Sequence, residues 1–304
     1  MKGETLDRFL EAVPSLQRLQ NLLQRAAQSE APILILGPAG SGRTWLARAL
    51  FGSSPRRSGP WIELDPTSIP PALFEGELFG YEAGAFTGAS RRFPGRVGQA
   101  EGGALLLDHV EELPLSVQPK LLRLLAEGRF HPLGGSETRA NVRFFAIASD
   151  RLPERVREGW FRADLFYRLE VLTFTLLPLR ERPQDILPLA AAILEDLAAR
   201  LGRSVAPELS PLSRERLLRH DWPGNVRELR NCLERALLTS DSPILELELL
   251  AERQQKVPKS LAECEREAIE AALAYCRGNT AEAARLLGIS RKSLWERRRR
   301  FGLP

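Results

Sequence analysis

The chain has 304 residues, 27% charged and 43% hydrophobic, with a formal net charge of +4. That length and balance suit two or three folded domains and exclude a disordered or collagen-like chain. No apolar run approaches the roughly 20 residues of a membrane span, the N-terminus MKGETLDRFLEAVPS lacks a signal peptide's apolar block, and Cys232, Cys264 and Cys276 share no metal-ligand spacing, so a reduced, cytoplasmic protein is expected.

Pro32 to Leu36, PILIL, reads as a buried strand by length and flanks. It runs into GPAGSGRT, Gly37 to Thr44, and then into a helical stretch, Thr44 to Leu50. A glycine-rich turn between strand and helix is the context of a phosphate-binding P-loop. Gly37, Gly40 and Gly42 let backbone N–H groups turn inward as an anion nest, and the helix N-terminus adds partial positive charge. Thr44 is placed to ligate Mg²⁺. The cation of such a loop is ordinarily a lysine, but here it is Arg43, whose guanidinium is planar and bulkier than an ammonium.

Trp61 to Leu64 is a second strand, followed by Asp65. GYEAGAFTGA, Gly80 to Ala89, then sets Phe86 between small residues, with Gly84, Thr87 and Gly88 nearby. Glycine's backbone entropy makes this a poor helix, and it packs little core. Ala104 to Leu107 is a third strand. It ends on Asp108, a Walker-B pattern in which the carboxylate faces Mg²⁺. A helix over Ser116 to Ala126, a strand over Val142 to Ala148 ending near Ser149, a helix over Leu152 to Glu158 and a strand over Val171 to Leu176 follow. Strand–helix repetition predicts an α/β fold, a mainly parallel sheet between two helical layers.

PLRERP closes this part. Gln184 to Leu250 reads as helices only, a small lid, and Glu252 to Ser260 as a polar linker. The expected domains are therefore 1–183, 184–250 and 259–304, with a linker at 251–258. In the last of these, Leu261, Cys264, Ala268, Ala272 and Tyr275 step along one helix face, which Gly278 ends. Asn279 can cap a second helix, with Glu282 at the reciprocal position. Ser290 can cap a third, after Gly288. Helix, glycine turn and basic helix is the helix-turn-helix pattern. The final 16 residues carry six basic side chains against Glu296 alone, which points to nucleic acid. Ser290, Arg291, Lys292, Ser293 and Glu296 lie where base edges are read. Arg297, Arg298, Arg299 and Arg300 are expected to meet phosphates. Leu294 is the expected core plug of this unit, with Trp295 the competing choice.

Four segments, ELFGYEAGAFTGA, FRADLFYRL, LPLRERPQDI and WPGNVRELRN, occur in the order seen in bacterial sigma-54-dependent activators of the AAA+ class. The chain resembles that family from about Pro14 to its end, including a Fis-like C-terminal domain. No receiver domain is expected before Pro14. The resemblance implies a AAA+ P-loop core binding ATP and Mg²⁺. It also implies a loop of Gly84, Phe86, Thr87 and Gly88 that touches sigma-54 in RNA polymerase, and binding to double-stranded DNA at an upstream site. Arg162 and Arg168 match the arginine fingers that reach a neighbouring subunit's nucleotide, so a ring is implied, most often a hexamer, alongside dimers through the C-terminal domain. Arg227 matches the lid arginine that senses nucleotide.

Four positions depart from the family pattern. Arg43 replaces lysine, His109 the catalytic glutamate, Asp65 the asparagine that bonds that glutamate, and Ser149 the sensor asparagine. Asp65 and His109 are expected within hydrogen-bond reach of each other. Glu112 has a family counterpart, which leaves Glu111 as a replacement carboxylate. Two readings follow: an ATP-driven activator of sigma-54 polymerase, or a nucleotide-binding but hydrolysis-deficient regulator acting in mixed rings or as a repressor.

Overall fold

Five apolar runs pair into one parallel sheet in a computed structural model. They are β1 (Ile33–Leu36), β2 (Trp61–Leu64), β3 (Ala104–Leu107), β6 (Arg143–Ala148) and β7 (Leu172–Thr175), in the order β2-β3-β6-β1-β7. The structure describes residues 5–203, 205–240, 242–247, 261–276 and 279–301, except the side chains of 261–264, 267 and 274. The expected linker and the helix stop at Gly278 lie outside the described residues. Every residue of β3 and β6 is buried, which is why these strands are apolar on both faces rather than alternating. Strands β4 (Arg129–Phe130) and β5 (Thr138–Arg139) form a small antiparallel pair off this sheet.

Helices cover the sheet as the repetition predicts. Helices α1 (Leu6–Ala12) and α2 (Gln20–Gln28) pack near α3 (Arg43–Gly52), with Phe9 edge-on to Trp45. Helices α4 (Pro71–Phe79), α5 (Gly95–Gln99), α6 (Gln118–Glu127), α7 (Leu152–Arg157) and α8 (Ala163–Leu169) close one hydrophobic core on the sheet. Phe74, Phe79, Leu121, Leu165 and Leu169 are buried in it. Arg143 is 1% exposed at the start of β6. Its guanidinium donates to the carbonyls of Ala26 and Ala27, so it satisfies the open C-terminal end of α2.

The segment after Pro183 contains α9 (Ile186–Arg200), α10 (Pro211–Arg219) and α11 (Asn225–Thr239). It is not purely helical. Strands β8 (Glu208–Leu209) and β9 (Ile244–Leu245) pair in parallel, because the chain returns past α10 after α11.

The chain divides into two compact units, Met1–Leu247 and Glu248–Pro304. The second contains α12 (Leu261–Tyr275), α13 (Thr280–Leu286) and α14 (Arg291–Phe301) around Ile269, Ala272, Ala283, Ala284 and Leu294. The buried face of α12 runs through Ile269 and Ala272, so the expected stripe holds at Ala272 and is corrected at Ala268 and Tyr275, while the side chains of Leu261 and Cys264 lie outside the described residues. Ala268 is exposed and Tyr275 is 82% exposed. Leu294 is the buried plug and Trp295 is exposed, which resolves that alternative.

Candidate functional site

The turn from β1 into α3 holds three glycines at positive φ, Gly37, Gly40 and Gly42. At the first two a side chain is also excluded by contact. A Cβ on Gly37 would lie 2.5 Å from the Leu176 carbonyl oxygen, and one on Gly40 would lie 2.5 Å from that of Gly224. The turn is thus shaped by glycine and pressed against β7's end and the lid. Val226 and Arg227 donate their backbone N–H groups to Gly40's carbonyl at 2.9 and 3.3 Å, and Asn225 Nδ2 donates to Ala39 at 2.9 Å. The start of α11 is therefore bonded to the loop, which brings Arg227 to its edge. Ser41 Oγ is buried with no hydrogen-bond partner among the described residues.

Arg43 is 8% exposed. Its Nη1 donates to the carbonyls of Gly37 at 2.7 Å and Ala148 at 2.6 Å, so the loop's cation rests on the protein's own backbone. Burial lowers its pKa from the ordinary arginine value, against the opposing pull of Asp108 and Glu111. Thr44 is half-buried in the first turn of α3.

Asp108 ends β3, and Oδ1 accepts the backbone N–H of His109. Burial raises its pKa above the usual carboxylate range, opposed first by His109 and then by Arg43. His109 takes the left-handed backbone region, φ 52°, uncommon for a residue with a side chain. Its Nδ1 lies 3.3 Å from Asp65 Oδ2 and 3.5 Å from Asp108 Oδ1. The Asp65–His109 approach is therefore within range, but Nδ1 completes no hydrogen bond among the described residues. Asp65 is engaged instead through Oδ1, which accepts from the backbone N–H and hydroxyl of Thr67. Ser149 follows β6, and its backbone N–H donates to Glu111 Oε1 at 2.8 Å.

The structure thus gathers Gly37, Gly40, Gly42, Arg43, Thr44, Asp65, Asp108, His109, Ser149 and Arg227 around the C-terminal ends of β1, β2, β3 and β6. Arg162 and Arg168 are engaged elsewhere. Arg162 forms a two-pronged pair with Asp164, at 2.8 and 3.1 Å, which raises its pKa. Arg168 donates to the Leu125 carbonyl at the end of α6. Both lie on the surface.

Sequence reasoning assigned no role to a buried chain of bonds behind the loop. Arg182, 2% exposed, donates to the Ser41 carbonyl at 2.5 Å and pairs with Asp185, which in turn accepts from the N–H and hydroxyl of Ser15. Asn225 Oδ1 accepts from Leu179 while its amide holds Ala39. The segments carrying these residues, PLRERPQDI and WPGNVREL, were visible. Which of their charges are buried was not.

The Gly84–Ala89 loop is raised from the core after α4. Gly84 and Gly88 have φ of 83° and 111°, conformations that favour glycine. Gly84 N–H donates to Ala89's carbonyl, closing the loop's neck. Phe86 is 45% exposed and meets Tyr81 edge-to-face at 5.0 Å.

In the second unit, Ser290 Oγ accepts the N–H of Ser293 and caps α14. Asn279 caps α13 through the N–H groups of Ala281 and Glu282. Arg291, Lys292, Glu296 and Arg299 are exposed, as is Trp295, over which Arg299 lies at 5.7 Å. Ser293 is half-buried, as is Arg298, whose Nε completes no hydrogen bond among the described residues. Arg297 and Arg300 both pair with Glu265 of α12.

A glycine loop at the end of β1, an inner strand of a β2-β3-β6-β1-β7 parallel sheet, bonded to the first helix turn of a small lid, defines a AAA+-type P-loop protein with a helix-turn-helix unit. Family models agree segment by segment. The sigma-54 interaction domain matches residues 9–175, the AAA+ ATPase lid domain 180–266 and the bacterial regulatory protein, Fis family, 260–301. The chain belongs to the family of sigma-54-dependent transcriptional regulators. It is 38% identical to the Nif-specific regulatory protein of Klebsiella pneumoniae over 95% of this chain and 58% of that protein. It is 38% identical to the DNA-binding transcriptional regulator NtrC of Escherichia coli K12, over 100% of this chain and 72% of that one. The crystal structure of NtrX from Brucella abortus in complex with ADP superposes with a TM-score of 0.70 at 29% identity, covering 98% of this chain and 72% of that one. The chain therefore spans between about half and three-quarters of the length of these relatives.

Proposed function

We propose that this chain is a DNA-binding transcriptional regulator that binds ATP at Gly37–Thr44 and remodels sigma-54 RNA polymerase through the Gly84–Ala89 loop. The observation that carries this reading is that loop: a complete GAFTGA stretch on a P-loop core, its glycines at positive φ and Phe86 half-exposed at its tip. The ring is offered as a contact, and the glycines permit the loop to change height.

The loop residues fit a phosphate. Three glycines at positive φ, an open helix N-terminus and a Ser41 hydroxyl without a partner among the described residues make a polar cradle. A solved relative, NtrX, has been crystallised with ATP and with ADP. Thr44 and Asp108 are the residues we assign to the Mg²⁺ that accompanies ATP, which supplies charge neutralisation at the phosphates. Asp108's disfavoured charge suits a cation ligand. Arg227 reports nucleotide from the lid. Arg162 and Arg168, both at the surface, are proposed to serve a neighbouring protomer in a hexameric ring, with Arg162 exchanging Asp164 for phosphate. The C-terminal unit reads an upstream DNA site as a dimer through α12. Ser290, Arg291, Lys292, Ser293 and Glu296 face the bases, and Arg297 and Arg298 face the backbone.

Two observations favour a second reading, in which nucleotide is bound but scarcely hydrolysed. His109 replaces a carboxylate, and Arg43 is committed to two backbone carbonyls. Such a protein would act in mixed rings or as a repressor. A phosphate-release assay on the native chain beside the His109→Glu, Arg43→Lys double variant separates the two. Turnover in the native chain that the double change leaves unaltered supports the activator. Turnover only in the double variant supports the second reading. Absence of nucleotide binding at millimolar ATP and ADP would overturn both.

A further inference from the structure

Two buried charges grip one peptide group from opposite ends. The peptide joins Ala148 to Ser149, where β6 leaves the middle of the sheet. Its carbonyl accepts from Arg43 Nη1, and its N–H donates to Glu111 Oε1. A cation on the oxygen and an anion on the nitrogen polarise the amide in the same sense, so each bond strengthens the other. Glu111 is 7% exposed, and its second oxygen, Oε2, is buried with no hydrogen-bond partner among the described residues. A buried carboxylate with one oxygen unsatisfied persists only where a cation compensates it. Arg43 and Glu111 attract one another across this peptide. Glu111 is therefore turned into the interior and occupied with backbone.

We propose that Glu111 is a positioning residue which, through the Ala148–Ser149 peptide, holds the Arg43 guanidinium on the protein's own carbonyls and so competes with nucleotide phosphate for it. This rests on the reading of Gly37–Thr44 as a nucleotide site. A guanidinium with Nη1 spent on two carbonyls, and its charge matched by a buried anion, presents a weaker field to an entering phosphate. Because the guanidinium is planar, spending both N–H groups of Nη1 on these carbonyls fixes the direction of its remaining donors, a constraint that a freely rotating ammonium would not carry. The lysine-to-arginine exchange and the buried glutamate are then one coupled feature.

The test uses the full chain and methylanthraniloyl-ADP with Mg²⁺, followed by fluorescence titration. Glu111→Gln keeps an oxygen for the Ser149 N–H and removes the charge. It is expected to bind the analogue about three- to tenfold more tightly, the net worth of one hydrogen bond. The same change in an Arg43→Gln background is expected to alter affinity less than about twofold, because coupled residues are not additive. Unchanged or weaker binding by Glu111→Gln overturns the proposal. So does equal tightening without Arg43, which would be only the general field of one carboxylate. A second readout needs no nucleotide. Amide hydrogen exchange at Ser149 should be faster in Glu111→Ala than in the native chain, and close to native in Glu111→Gln. Exchange that Glu111→Ala leaves unchanged overturns the clamp. If neither the native chain nor Glu111→Gln binds the analogue, the competition falls together with the nucleotide reading, and Ser149 exchange alone then decides whether the clamp exists.

Discussion

Asp108 is held in a place that disfavours its own charge. Burial raises its pKa more than His109 and Arg43 lower it, so the folded chain takes up a proton at Asp108 more readily than the unfolded chain does. Between the ordinary carboxylate value of 3.8 and the raised one, stability therefore falls as pH rises. Above that window the ionised side chain is a net cost. Asp108→Asn should raise the Tm of the nucleotide-free protein at pH 7, because it removes the charge that burial disfavours. The gain should shrink as pH is lowered into the acid range, where the native side chain is already protonated. A variant that melts lower at pH 7 would contradict the assignment. The residues concerned were legible in the sequence, because Asp108 closes an apolar run and His109, Arg43, Asp65 and Ser149 stand at recognisable motif positions. Their conformations were not. The left-handed backbone of His109 and the inward turn of Arg43 depend on neighbours far away in the chain, and no local pattern encodes those.

At the level of elements, the P-loop is braced by segments that sequence reading treated as mere boundaries. Ser15, Asp185 and Arg182 form a buried relay that ends on the Ser41 carbonyl, so the segment before α2 and the hinge before α9 both fix the loop. Arg182→Met strands Asp185 at zero exposure and is expected to destabilise the first unit by about 3–5 kcal/mol, as removal of one member of a buried pair does. Adding Asp185→Asn should recover part of that loss, because the uncompensated charge goes too. Urea unfolding of the three variants measures both. A double variant no more stable than Arg182→Met would show that the carboxylate is not the source of the cost. The same limit explains what was legible here. The strands of the sheet could be read because apolar runs of four to six residues carry their own signal. The β8–β9 pair could not, since each strand is two residues long and gains its partner only when the lid is folded. Arg143 illustrates the point again: a charge at a strand's start reads as solvent-facing, yet it closes the end of α2.

For the molecule as a whole, charge is concentrated in the last helix, but not all of it is available to a polyanion. Glu265 of α12 takes both Arg297 and Arg300, and these pairs are partly exposed, with Arg300 60% accessible. Exposed pairs of this kind contribute about 0–1 kcal/mol each, so the unit should fold without them. Their larger effect is on binding, because an arginine engaged by a carboxylate neutralises a phosphate only after leaving it. Glu265→Gln should therefore strengthen binding to any duplex. It should also steepen the fall of log K with log salt by about 1 to 2, the increment expected for one or two added phosphate contacts. Arg298→Ala and Arg299→Ala, which remove cations expected at the phosphates, should flatten the slope by about 1 each. Fluorescence anisotropy with a random-sequence duplex between 50 and 200 mM salt measures all three. Because Glu265 belongs to α12, the helix proposed to join two copies, its release of Arg297 and Arg300 would make DNA affinity depend on how that helix is packed. A slope unchanged by Glu265→Gln would mean that Arg297 and Arg300 already leave the carboxylate when DNA arrives. The pairs would then hold α14 against α12 without tuning its grip on the backbone.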